Sequence, residues 1–94
     1  MPHDDRVYLQ HIRDAARRIR QYVEGIDETS FKNNLLIQDG VIRQIEIIGE
    51  AAKHLSTTLR TSQSHIPWRD IMGMRDKLIH DFRTTEFRLP GSTP

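Results

Sequence analysis

Residues 37–59 read IQDGVIRQIEIIGEAAKHLSTTL. Ile37, Val41, Gln44, Ile48, Ala52, Leu55 and Leu59 recur in steps of three and four, the period of one face of an α-helix. Ile45 and Ala51 flank that stripe. Glu46 and Glu50 project from the opposite side beside Arg43, Lys53 and His54, spaced as i,i+3 and i,i+4 ion pairs on a solvated face. Upstream, Asp27-Glu28-Thr29-Ser30 is a polar connection ending in an N-cap residue, so the pattern predicts a helical region from there to about Leu59, broken near Gly40. Gly49 inside this helix costs about 1 kcal/mol relative to alanine, which points to another backbone passing close by, with a second subunit as one candidate.

The same period extends outward on both sides. From Asp5 to Ile26 the apolar residues are Tyr8, Ile12, Ala15, Ile19, Tyr22 and Ile26, with Leu9, Ala16 and Val23 beside them. Asp4 or Asp5 can cap this first helix, and Gly25 sits where a helix ordinarily ends. Its outer face carries Arg6, Arg13, Arg17 and Arg20, with Arg18 nearby and Asp14 and Glu24 opposing. That stripe reads as a solvated face, and it could also follow a phosphate backbone. After a loop at residues 60–66, Ser64 caps a third helix that has Pro67 in its early, proline-tolerant position and runs to about Phe82. The reading is an all-α, up-and-down bundle of about three main helices in residues 1–82, followed by an aperiodic, disordered tail over 83–94.

Composition bounds the function. Ninety-four residues make one domain. A chain this short buries about 60–65% of its unfolded surface, so its stability leans on a partner subunit. The chain has no cysteine, which excludes disulfides, thiolate zinc sites and a cysteine nucleophile. Apolar runs are too short for a membrane span or a signal-peptide core, so the expected location is the cytoplasm. The net charge is +1, far from a histone-like density, although eleven of the fourteen cations are arginine. There is no glycine-rich phosphate loop and no His-Glu-x-x-His pattern. His3, Asp4, Asp5 and His11 could take up a metal adventitiously; no dedicated metal site and no cofactor are expected.

The third helix holds an anomaly. With Arg75 at the origin of a helical wheel, Trp68, Ile71, Met72, Leu78, Ile79 and Phe82 all fall within about 60° of it. A guanidinium centred on an apolar face needs an anionic or carbonyl partner. That partner is either a carboxylate on another helix or a bound anion at a groove or subunit interface. His80 lies about 140° further round, so a shared pocket with Arg75 requires arginine's length, a local distortion, or a second subunit. Asp76 is four residues before His80 on the same face, where a carboxylate can orient the imidazole.

Two segments carry a resemblance. Residues 45–56, IEIIGEAAKHLS, and 66–81, IPWRDIMGMRDKLIHD, are similar to the HepT-like branch of the HEPN superfamily, the toxin half of a bacterial and archaeal toxin–antitoxin pair. The similarity spans roughly Asp5 to Phe82. The Arg-x4-His element alone is weak; set behind the Ile-Pro-Trp start and the Ile-Gly-Glu helix it is specific. The resemblance implies a homodimeric helical bundle and a metal-independent endoribonuclease of a type II toxin–antitoxin system. Its catalytic residues would be Arg75 and His80, with Asp76 supporting, at a cleft between subunits. RNA would be the substrate, and an MntA-like nucleotidyltransferase the antitoxin partner, with no membrane involved.

The residue types suit that chemistry. Without a metal, the 2′-hydroxyl attacks the adjacent phosphorus and the 5′-oxygen leaves; imidazoles move the protons and a guanidinium stabilises the added negative charge. One imidazole cannot be base and acid at once, so a two-fold axis supplying a second His80 is chemically sensible. Two departures stand out. Family members commonly carry Tyr two residues after the motif His, as the acceptor of AMP from the antitoxin; here that position is Phe82, which has no nucleophilic oxygen. Relatives also continue into a further helix, whereas residues 83–91, RTTEFRLPG, match nothing in the pattern. The alternative expectation is therefore a non-catalytic binding module, or a truncated remnant, that docks a nucleotidyltransferase.

Overall fold

The computed structural model describes residues 3–84, and among these every regular element is helical. The elements are α1 (Asp5–Val23), α2 (Glu28–Lys32), α3 (Leu35–His54), α4 (Thr57–Ser62) and α5 (Trp68–Leu78), with a π-helical continuation at Ile79–Thr84.

Capping residues set these boundaries. Asp4 accepts from the backbone N–H of Arg6 and starts α1, and Gly25, at φ 71°, turns the chain just after it. The expected second helix is divided. Asp27 caps α2 and Asn34 caps α3, each accepting from a backbone N–H three residues on. Two side-chain caps so close together punctuate the chain more strongly than the apolar period joins it. Gly40, the expected break, lies within α3 instead; its missing side chain makes room for the Tyr22 ring, which would stand 3.2 Å from an added Cβ. At the other end α3 stops at His54, because Ser56 turns its hydroxyl to the N–H of Leu59 and begins α4. Ser64 does not cap α5; Pro67 occupies that position with no side-chain cap, and residues 83 and 84 extend the helical backbone past the expected end at Phe82. The expected disordered tail, from residue 85 on, lies outside the described residues.

α3 is the central element. Gln38, Val41, Gln44, Ile45, Gly49, Ala51 and Ala52 are all buried on it, whereas α1 buries Ala15 and α5 buries no residue fully. α1 runs antiparallel to α3: Tyr22 meets Gly40 at one end, and Tyr8 stacks on His54 at the other, ring centroids 5.0 Å apart. That second end is clasped by Asp5, whose carboxylate accepts from the Ser56 N–H at 2.8 Å and from its hydroxyl at 2.7 Å. α5 also lies antiparallel on α3, with Ile71 and Met72 backbone over Gly49; an added Cβ there would stand 3.5 Å from the Met72 carbonyl. The close approach predicted for Gly49 is thus made by the same chain. Buried Gln38 ties α2 down, its amide donating to the Phe31 and Lys32 carbonyls at 2.9 Å each.

Candidate active site

Where α3 and α5 cross, Gly49 and Met72 form the floor of a hollow of about 450 Å³, and charged residues form its walls: Arg43, Glu46, Glu50 and Lys53 from α3, Arg75 and Asp76 from α5. Closeness at Gly49 sets the register. One helical turn toward the N-terminus of α3 is Glu46, and one turn toward the C-terminus of α5 is Arg75. They meet: Arg75 Nε donates to Glu46 Oε2 at 2.5 Å.

Arg75 therefore has a cross-helix carboxylate, one of the two partners that its place on the wheel left open. It is not buried, however. Its side chain keeps 46% of its exposure and Glu46 keeps 33%, so the pair sits at the rim of the hollow. The α5 face around it is correspondingly open: Ile71, Met72, Leu78 and Ile79 are half-buried, and Met74 is 37% exposed. Arg75 Nη1 donates to Asp76 Oδ1 at 3.1 Å. The Glu46 hydrogen bond first, with Asp76 adding to it, raises the guanidinium above its already high pKa and keeps it charged. With Nε held by Glu46 and Nη1 by Asp76, Nη2 makes no hydrogen bond among the described residues and is free for an oxyanion.

Glu46 was assigned from sequence to a surface pair with Arg43, and that pair is present at 3.6 Å. Its second role, holding Arg75, was missed. The signal lay in two facts read separately: a lone arginine on an apolar stripe needs an acid, and Gly49 marks where the helices touch.

His80 is exposed and does not line this hollow. No hydrogen bond joins it to Arg75 or to Asp76 among the described residues; the Asp76 carboxylate turns to Arg75 instead. Of the three routes to a shared pocket, the backbone offers a local distortion at this point. α-Helical geometry ends at Leu78 and the wider π-turn begins at Ile79, one residue before His80. Phe82 lies on the π-helical backbone; its ring is outside the described residues. Of the residues considered for an adventitious metal, His3 pairs with Asp5 at 2.8 Å and Asp4 with Arg6 at 3.2 Å, and among the described residues no group of three metal-binding side chains converges. No helix of the described residues is long and apolar enough to cross a membrane.

A family model described as "Ribonuclease HepT-like" matches residues 12–89. A protein of Caldanaerobacter subterraneus subsp. tengcongensis named "Putative RNase" is 38% identical over 84 residues, 89% of this chain and 75% of that one. A "Probable ribonuclease HepT" of Thermococcus cleftensis is 37% identical over 82 residues, covering 87% and 74%. A Methanocaldococcus jannaschii protein named "Gamma-glutamylcyclotransferase and putative RNase" is 42% identical over 82 residues; the match takes in 87% of this chain and 37% of that longer protein. No solved structure matches.

Proposed function

The chain belongs to the ribonuclease HepT-like family, and from that membership and the Arg75 cleft we propose that it is a metal-independent endoribonuclease, the toxin of a type II toxin–antitoxin pair. The observation that carries the reading is the half-exposed guanidinium of Arg75, fastened on one edge by Glu46 and open on the other. Arg75 binds the non-bridging oxygens of the scissile phosphate, and their charge grows as the 2′-oxygen bonds to phosphorus. One His80 takes the 2′-hydroxyl proton; the other, from the twin subunit, delivers a proton to the departing 5′-oxygen. The P–O5′ bond breaks, leaving a 2′,3′-cyclic phosphate and a 5′-hydroxyl. Asp76 supports Arg75 through Nη1. The half-buried apolar face of α5 supports a homodimer in which both Arg75 residues lie near the axis.

His80→Ala, at an exposed position, is expected to retain full helix content and lose RNA cleavage by about 10²–10⁴-fold. Arg75→Ala loses cleavage and loosens the dimer as well. Cleavage persists in chelator and leaves cyclic phosphate ends; a strict Mg²⁺ requirement, or undiminished cleavage by His80→Ala, sinks the mechanism. Phe82 favours a second reading, a non-catalytic module that docks a nucleotidyltransferase antitoxin, because phenylalanine cannot accept AMP. Growth arrest on controlled expression separates the two: a toxin arrests growth and its His80→Ala form does not, whereas a docking module arrests it in neither form.

A further inference from the structure

A second hollow, of about 650 Å³, lies where α4 meets the start of α5. Arg60 and Arg69 line it, with Thr57, Thr61 and Trp68, and among the described residues no carboxylate does. Arg60 is half-buried, and among the described residues its Nε is sealed from solvent with no hydrogen-bond partner. An unpaired, half-buried guanidinium is costly, and an oxyanion in the hollow would pair with it through the Nη groups, Nε itself being out of reach of solvent. Trp68 donates its indole N–H to the Gln63 carbonyl at 3.2 Å, which pins the ring by its edge and leaves its carbon surface to the hollow. Met72 is a wall of this hollow and also of the one that holds Arg75. From Trp68 to Arg75 the rise along α5 is about 10 Å, within the span of the nucleotides next to one bound at Arg75.

We propose that this hollow is a subsite for a flanking nucleotide of a single-stranded RNA, with Arg60 and Arg69 holding a phosphodiester and Trp68 stacking on a base. The inference rests on the ribonuclease reading for its choice of ligand. Two arginines without an opposing acid select phosphate, and an aromatic ring accepts any base on its face, so the subsite anchors the strand with little regard to sequence. It is separate from the Arg75–His80 machinery and acts on binding.

Trp68 is the only tryptophan in the chain, so its emission reports the site directly. In the uncleaving His80→Ala background, a single-stranded RNA decamer is expected to quench that emission saturably. Arg69→Ala, at an exposed position that the fold tolerates, and Arg60→Ala should each weaken binding roughly tenfold and flatten its salt dependence by about 0.7 in log–log slope. By fluorescence anisotropy of a labelled decamer, Trp68→Ala should weaken binding about 5- to 150-fold and Trp68→Phe should recover most of it. Decamer binding with Trp68 emission unmoved, or Arg60 and Arg69 variants that bind like the parent, overturns the subsite. AMP binding as tightly as the decamer assigns the hollow to a free nucleotide and overturns the strand reading. Cleavage by the unsubstituted protein is read in parallel: RNA cut while Trp68 stays silent defeats the subsite alone, and Trp68 quenched by RNA that is never cut defeats the ribonuclease reading alone.

Discussion

Arg75 is held by two carboxylates of unequal standing. Asp76 is its chain neighbour and 85% exposed, so it adds little rigidity; Glu46 is on another helix and fixes the guanidinium plane. A half-exposed ion pair contributes roughly 0.2–1 kcal/mol to stability, so its value lies in orientation more than in holding the fold. Glu46→Ala is therefore expected to change unfolding free energy by less than about 1 kcal/mol while lowering the rate of RNA cleavage roughly 10- to 100-fold. Denaturant titration and single-turnover cleavage measured on the same preparation check both halves. A variant that cleaves normally shows that Arg75 needs no anchor. In the sequence, Arg75, Asp76 and His80 are visible as a spaced motif, but Glu46 looks like an ordinary i,i+3 partner of Arg43. Spacing within one helix cannot disclose a bond between residues 29 positions apart.

Among the elements, the contact of α5 with α3 and the clasp between the start of α1 and α4 are open to direct test. At Gly49 an alanine Cβ would stand at ordinary van der Waals distance from α5, 3.5 Å from the nearest atom. Gly49→Ala should thus gain the helix-propensity difference, up to about 1 kcal/mol, with α5 in place. Gly49→Leu should push α5 away, separate Arg75 from Glu46 and abolish cleavage; thermal unfolding and cleavage of the two variants give the comparison. In the clasp, hydrogen bonds from the Ser56 hydroxyl and then its backbone N–H hold the Asp5 carboxyl below the ordinary aspartate range. The unfolded chain binds that proton more tightly, so the clasp contributes fully above the unfolded value of about 3.9 and is lost as pH falls through the lower folded value. Asp5→Asn should be less stable than the parent at neutral pH and lose less stability on acidification through that window. Parallel acid titrations followed by circular dichroism that lose stability equally would refute it. Helix existence was legible here from the three-to-four residue period. The division into α2, α3 and α4 was not, because Asn34 and Ser56 compete for backbone N–H groups locally and an apolar stripe is blind to that competition.

For the molecule as a whole, the uneven distribution of burial matters most. α3 is covered on two sides, while α5 leaves Ile71, Met72, Leu78 and Ile79 half-buried and Met74 exposed beside Arg75. An apolar face of that kind around a half-exposed arginine is expected to close on a second copy. Sedimentation at micromolar concentration should find a dimer, and Met74→Asp should shift it toward monomer with helix content intact; a monomeric parent contradicts the assembly. Helical class, the three strongest amphipathic segments and the Arg-x4-His spacing could all be read from residue order, since each follows from short-range periodicity or from a contiguous motif. Which helix became central, which chain passed over Gly49, which acid met Arg75, and the placement of Arg60 beside Trp68 depended on contacts between residues far apart in the chain. Such contacts are settled by packing, which selects one register among many that the apolar period allows equally, and only the folded chain expresses that selection.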